Sequence, residues 1–163
     1  MERKPYNVHI FLFRGSAGDW QFALFKRVDI ENVWQGVCGG GESGESIAQA
    51  AIRECYEEAG IGAPGLLYPL DTYGCMSSEF FIEWIPVWGT DVLVLPMYYF
   101  AMEYDGEVQI SEEHSEFGWY SYEEGIEKIR FPDQKLALWE LHERLKRGNL
   151  IRPLTHALLE VQD

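Results

Sequence analysis

Basic residues are scarce in this chain: 13 lysines and arginines face 27 aspartates and glutamates in 163 residues, a formal net charge of −14. A protein that grips DNA or RNA needs a basic face against the phosphate backbone, so no nucleic-acid partner is expected. Long apolar runs are missing too. Nothing approaches the roughly 20 apolar residues that span a bilayer, and the longest candidate, Val92 to Met102, is interrupted by Pro96 and reads as strand. Ile10 to Phe13, flanked by His9 and Arg14, is shorter than the apolar core of about 7–15 residues in a signal peptide. No membrane contact is expected. Three cysteines without a C-x-x-C give neither a disulfide framework nor a zinc pattern. They suit a reducing cytoplasm, the compartment expected here. The four histidines, His9, His114, His142 and His156, are scattered and read as surface or structural residues rather than ligands.

What is present belongs to a folded domain. Apolar residues make up 47% of the chain and aromatics 15%, too many for a disordered segment. The length suits one domain over residues 1–163, able to bury a substantial core. Val8 to Arg14 and Trp20 to Arg27 read as strands joined by a turn at Gly15 to Asp19. Trp34 to Gly39 reads as a short strand and Ser46 to Ala59 as a helix. A long β-rich stretch follows from Leu67 to Val108 and carries most of the aromatics, among them Phe80, Phe81, Trp84 and Trp88. Glu116 to Tyr120 reads as strand, and Tyr122 to Ile129 and Pro132 to Arg147 as helices, the second with proline where a first turn tolerates it. Helices flanking a mixed sheet make an α/β/α sandwich. The tail from Gly148 to Asp163 is apolar enough to pack, without a readable role.

One stretch carries chemistry. Between Gly39 and Ile61 the sequence reads G-x5-E-x7-R-E-C-Y-E-E-A-G-I. Glu54, Glu57 and Glu58 stand at i, i+3 and i+4 of the expected helix, within an arc of roughly 100°. Ala48, Ala51, Ile52, Cys55 and Ala59 form the adjacent apolar stripe that can bury against a sheet. Three carboxylates on one spot repel unless a cation lies between them, and oxygen ligands suit a hard divalent ion, Mg²⁺ first. A solvated acidic face would explain three glutamates alone. It does not explain four glycines just before the helix, an N-capping Ser46, a closing Gly60, and Arg53 placed to orient the carboxylates with Glu45 as its partner.

In these positions the chain resembles the Nudix hydrolases, whose signature is G-x5-E-x7-R-E-U-x-E-E-x-G-U with U bulky and apolar. Gly39, Glu45, Arg53, Glu54, Glu57, Glu58, Gly60 and Ile61 match in register. Cys55 departs from the usual Leu, Ile or Val, at a cost expected in packing rather than chemistry. Val37-Cys38 replaces a frequent Pro-Gly. The resemblance implies an α/β/α fold with a mixed sheet and an enzyme that hydrolyses a diphosphate linkage. It implies Mg²⁺, with Mn²⁺ as a substitute, held by Glu54, Glu57, Glu58 and the Cys38 backbone carbonyl. Arg53, Glu57 and Glu113 are the implied catalytic residues, with Glu57 and Glu113 both open as the general base. Glu113 enters through E-H-x4-W, a form similar to a later family segment, although a solvated acidic loop also accounts for it.

Arg27, beside Lys26, resembles a phosphate-contacting pair, with a surface salt bridge as the alternative. A looser likeness, in K-R-x6-W-Q-x-V from Lys26 and F-x-D-Q-x-A from Phe131, points to the dihydroneopterin triphosphate and dATP pyrophosphohydrolases. It puts Trp34, or the Tyr98 to Phe100 segment, forward for stacking on a substrate ring. The expected partner is therefore a small phosphorylated substrate. The leading expectation is a nucleoside or dihydroneopterin triphosphate cut to monophosphate and pyrophosphate. The alternative is a nucleoside diphosphate derivative such as ADP-ribose, or a dinucleoside polyphosphate, and a non-catalytic ligand sensor is the minor reading. Oligomeric state is not legible.

Overall fold

Six consecutive residues of the first strand, Val8 to Phe13, are all buried. Strand side chains alternate between faces, so a run buried on both faces must lie inside a sheet covered twice. The computed structural model, which describes residues 2–150, 153 and 154, has that arrangement. Strand β1 (Arg3–Ser16) runs through the middle. One of its edges pairs in parallel with β6 (Val94–Glu103), which pairs in turn with β5 (Leu67–Ser77). Its other edge pairs first with β4 (Val37–Glu42) and then with β2 (Asp19–Arg27), both antiparallel. Strand β2 also carries β3 (Trp34–Gln35) and β7 (His114–Tyr120). The sheet is mixed, as expected.

Val8, Ile10 and Leu12 face helix α1 (Ile47–Ala59), packing with Ala51, Cys55 and Ala59. Phe11 and Phe13 face the opposite layer of α3 (Tyr122–Lys128) and α4 (Pro132–Arg147), meeting Ala137, Leu138 and Leu141. The result is the α/β/α sandwich. Ile52, expected in the apolar stripe, is only half-buried.

Two expected elements differ. Trp34 to Gly39 is not one strand, because the chain crosses from the edge of β2 to the edge of β1 at Gly36. There the Gly36 N–H donates to His9 Nε2 at 2.9 Å, and a Cβ would stand 2.5 Å from the Ile10 carbonyl oxygen. The stretch Leu67 to Val108 is not β-rich throughout. Residues 78–84 form a 3-10 segment capped by Ser77, leading into a short helix α2 (Ile85–Trp88) with proline in its first turn. Phe81, Trp84 and Trp88 recur at helical spacing, a period that strand alternation does not contain. Beyond Leu150 only residues 153 and 154 of the tail are described, and Leu154 bridges to Leu67. Among the described residues no helix is long and apolar enough to cross a membrane.

Candidate active site

Helix α1 is fixed at both ends by its own sequence. Ser46 accepts from the Gln49 N–H while the Gln49 side chain accepts from the Ser46 N–H, and Gly60 closes the helix at φ 71°. Burying Ala48, Ala51 and Cys55 turns Glu54 and Glu58 inward and leaves Glu57 exposed. The facing wall is the glycine run of β4. A Cβ on Gly39 would stand 2.0 Å from the Glu54 carboxyl carbon, so only glycine lets the carboxylate lie against the backbone.

Arg53 is the organiser. Its guanidinium donates to both Glu45 oxygens at 2.8 and 3.0 Å, to Glu54 at 2.9 Å, to Glu57 at 3.1 Å and to the Gly40 carbonyl at 2.7 Å. The expected Arg53–Glu45 pair is present, and Glu45 in turn accepts from the Glu42 N–H at 2.7 Å. Hydrogen bonding to Glu45 is the largest influence on the guanidinium and raises its pKa.

Negative charge is crowded beyond what Arg53 offsets. Burial pushes the Glu54 carboxyl up to about 7 against the opposing pull of Arg53. Burial raises Glu58 further, and Glu113, which can meet it only across a shared proton, adds to the rise. Glu58 Oε2 is buried without a hydrogen-bond partner, and His114 Nε2 stands 3.5 Å from it. Burial also lowers the His114 pKa, favouring the neutral ring. The Cys38 backbone hydrogen bonds to Glu58, so that strand position borders the same carboxylates.

The fold thus brings Arg53, Glu54, Glu57, Glu58, Glu113 and the Cys38 backbone together. It does not bring Trp34 or Arg27 to them as free contacts. Trp34 is 8% exposed, with Tyr120 edge-on to its ring and Lys128 Nζ 4.5 Å above it. Arg27 is clamped by both Asp29 oxygens at 2.8 and 2.5 Å, the salt bridge weighed as its alternative. His9 is structural, one of the two roles expected of it: buried and pushed down to about 3 by burial, it holds the Gly36 corner beside the glycine strand. Sequence reasoning missed the contact of His114 with Glu58, although adjacency to Glu113 was the available signal.

Among the described residues, no three His, Cys, Asp or Glu side chains stand ready-made around one point. Arg53 holds Glu54 and Glu57 by hydrogen bonds at 2.9 and 3.1 Å. The donor set nevertheless fits a hard cation: buried carboxylates with raised pKa values, an orphaned oxygen on Glu58, and a wall of bare backbone.

Comparison with known proteins agrees with this geometry. The NUDIX domain model matches residues 3–139. The asymmetrical bis(5'-nucleosyl)-tetraphosphatase of Sus scrofa is 31% identical over 130 residues, covering 77% of this chain and 80% of that one. A NUDIX hydrolase structure from Listeria monocytogenes superposes with a TM-score of 0.79 at 34% identity, covering 90% of this chain and 97% of its own. The dihydroneopterin triphosphate pyrophosphohydrolase of E. coli shares the fold, with a TM-score of 0.66 at 18% identity, 87% of this chain and 99% of its own.

Proposed function

The chain belongs to the NUDIX family of hydrolases acting on phosphate anhydrides, and from that footing we propose that it cuts a dinucleoside polyphosphate in a divalent-metal-dependent reaction. The likeness to the pig tetraphosphatase carries the choice of substrate and puts the dinucleotide reading ahead of the triphosphate expected from sequence motifs. An unsymmetrical cut of a four-phosphate chain releases a monophosphate and a triphosphate.

Mg²⁺, or Mn²⁺ in its place, would be held by Glu54, Glu57, Glu58 and the Cys38 carbonyl. When bound, it supplies positive charge against the phosphate oxygens and acidifies water. The protein's own groups supply the rest. Glu57 or Glu113 accepts the proton as water attacks phosphorus, one P–O bond forming and the bridging P–O bond breaking. Arg53 orients Glu54 and Glu57 through the bonds it already makes. Trp34 and Arg27 join as substrate contacts only where Lys128 and Asp29 give way. Trp34→Ala and Arg27→Gln test this, since lost ground-state binding raises KM more than it lowers kcat. The three free cysteines suit work in a reducing cytoplasm.

The triphosphate reading is kept for one reason, the K-R-x6-W-Q-x-V and F-x-D-Q-x-A pattern. Chromatography of products from diadenosine tetraphosphate, dATP and dihydroneopterin triphosphate separates the two. Highest kcat/KM on the dinucleotide, with mono- and triphosphate as products, supports the proposal. Pyrophosphate released fastest from a triphosphate would replace it with the second reading.

A further inference from the structure

Arg3 is a cation without an ion-pair partner among the described residues, with Glu54 and Glu83 acting on its charge only from farther off. It opens β1, with its backbone opposite Glu42 of β4. Its guanidinium lies on the glycine strand, so closely that a Cβ on Gly40 would stand 2.4 Å from Arg3 Cζ. The other side is covered by the Phe81 ring, whose centroid is 4.5 Å from Cζ. Nη2 donates to the Asn7 side chain, and Nε is buried without a hydrogen-bond partner. Among the described residues no carboxylate oxygen comes within the 4.0 Å of an ion pair with Arg3. Arg53, by contrast, has four carboxylates within that distance.

Half-burying an unpaired guanidinium costs free energy, and this one is held in place from several sides. The Trp88 indole N–H donates to the Arg3 carbonyl at 2.7 Å. Trp88 packs on Phe81 at 6.0 Å and stacks on Trp84 at 6.3 Å. The 3-10 segment and α2 thus form an aromatic lobe that presses the guanidinium onto Gly40. Glu54 and Arg53 are close enough to act on its charge, which places it beside the carboxylate cluster. A planar fork with free N–H donors, pinned next to a site for phosphate anhydrides, has the geometry that binds phosphate oxygens in pairs.

We propose that Arg3, backed by Phe81 and Asn7, is the residue that grips a phosphate group of the substrate away from the metal-binding carboxylates. The aromatic lobe of residues 78–88 is its support. The assignment rests on the anhydride-hydrolase reading, and within it Arg3 takes the phosphate role that Asp29 denies to Arg27. Arg3 takes no part in the proton transfer; it positions the phosphate chain.

The test is calorimetric binding of inorganic tripolyphosphate to the full chain in excess Mg²⁺, with wild type, Arg3→Gln and Arg3→Lys compared. Tripolyphosphate has no base or sugar, so the result does not depend on which nucleotide is the substrate. Wild type binds, Arg3→Gln weakens binding at least tenfold, and Arg3→Lys, which keeps the charge and loses the fork, falls between. Melting temperatures show that the variants are folded; should Arg3→Gln fail to fold, the comparison rests on Arg3→Lys. Binding by the folded variants within twofold of wild type, or no binding of tripolyphosphate by wild type, overturns the proposal. Failure of the dinucleotide assay alongside a tenfold Arg3 effect would instead leave Arg3 standing and remove only the choice of substrate.

Discussion

Glu54 and Glu58 are buried acids in a fold that gains nothing from burying them, and this separates stability from function at single residues. Glu58→Gln replaces a buried carboxyl that faces Glu113 with a neutral amide, and so removes the cost of either ionising it there or taking up a proton on folding. In EDTA at pH 8 its melting temperature should rise by on the order of 3 °C. With Mg²⁺ and substrate, Glu58→Gln and Glu57→Gln should each lower kcat by on the order of 10²-fold or more. Native circular dichroism with kcat reduced less than threefold in both would take these residues out of the catalytic machinery. Cys55 behaves in the opposite way. It is fully buried against the sheet with its thiol pushed up by burial, so Cys55→Val should cost under about 1.5 kcal/mol by chemical denaturation and keep its activity. Lost activity at unchanged stability would show a chemical role for the thiol. The signature residues were legible because each combines a residue type with a helical offset. Arg3 was not, because its meaning depends on Gly40 and Phe81, which the chain meets far downstream.

At the scale of elements, helix α4 shows how one side chain can lock two layers. Glu140 accepts from the backbone N–H groups of Asp71 and Thr72 at 2.8 and 2.7 Å, from the Thr72 hydroxyl at 2.7 Å and from Arg144 at 2.8 Å. These bonds fasten the irregular stretch of β5 between Pro69 and Tyr73 to the helix. Glu140→Ala should therefore cost about 2–4 kcal/mol in urea unfolding. Burial pushes the Glu140 carboxyl up, but the hydrogen bonds outweigh it and leave the pKa below its ordinary 4.5. A depressed carboxylate contributes stability that is complete above the unfolded pKa and is lost as pH falls through the folded one. The difference between wild type and Glu140→Gln should accordingly shrink below pH 4.5, and a gap constant down to pH 2 would show that packing, not charge, holds the joint. Helices α1, α3 and α4 were legible from caps and periodicity. The 78–88 lobe was not, because its aromatic residues suit a strand as well, and only the spacing of Phe81, Trp84 and Trp88 points to a helix.

Across the whole molecule, a net charge of −14 and a cluster of buried carboxylates make a protein that attracts cations and repels unaccompanied polyphosphates. The sandwich and its mixed sheet were legible from the alternation of strands and helices. The crossing at Gly36 was not, since it depends on His9 waiting in a neighbouring strand. The hydrolysis proposed for this carboxylate cluster depends on a bound divalent cation. Turnover of diadenosine tetraphosphate, dATP and ADP-ribose by metal-stripped protein, followed during titration with Mg²⁺, tests it most directly. Turnover should be unmeasurable after stripping and should recover saturably on at least one substrate as Mg²⁺ is added; full turnover by rigorously metal-free protein would rule the metal dependence out.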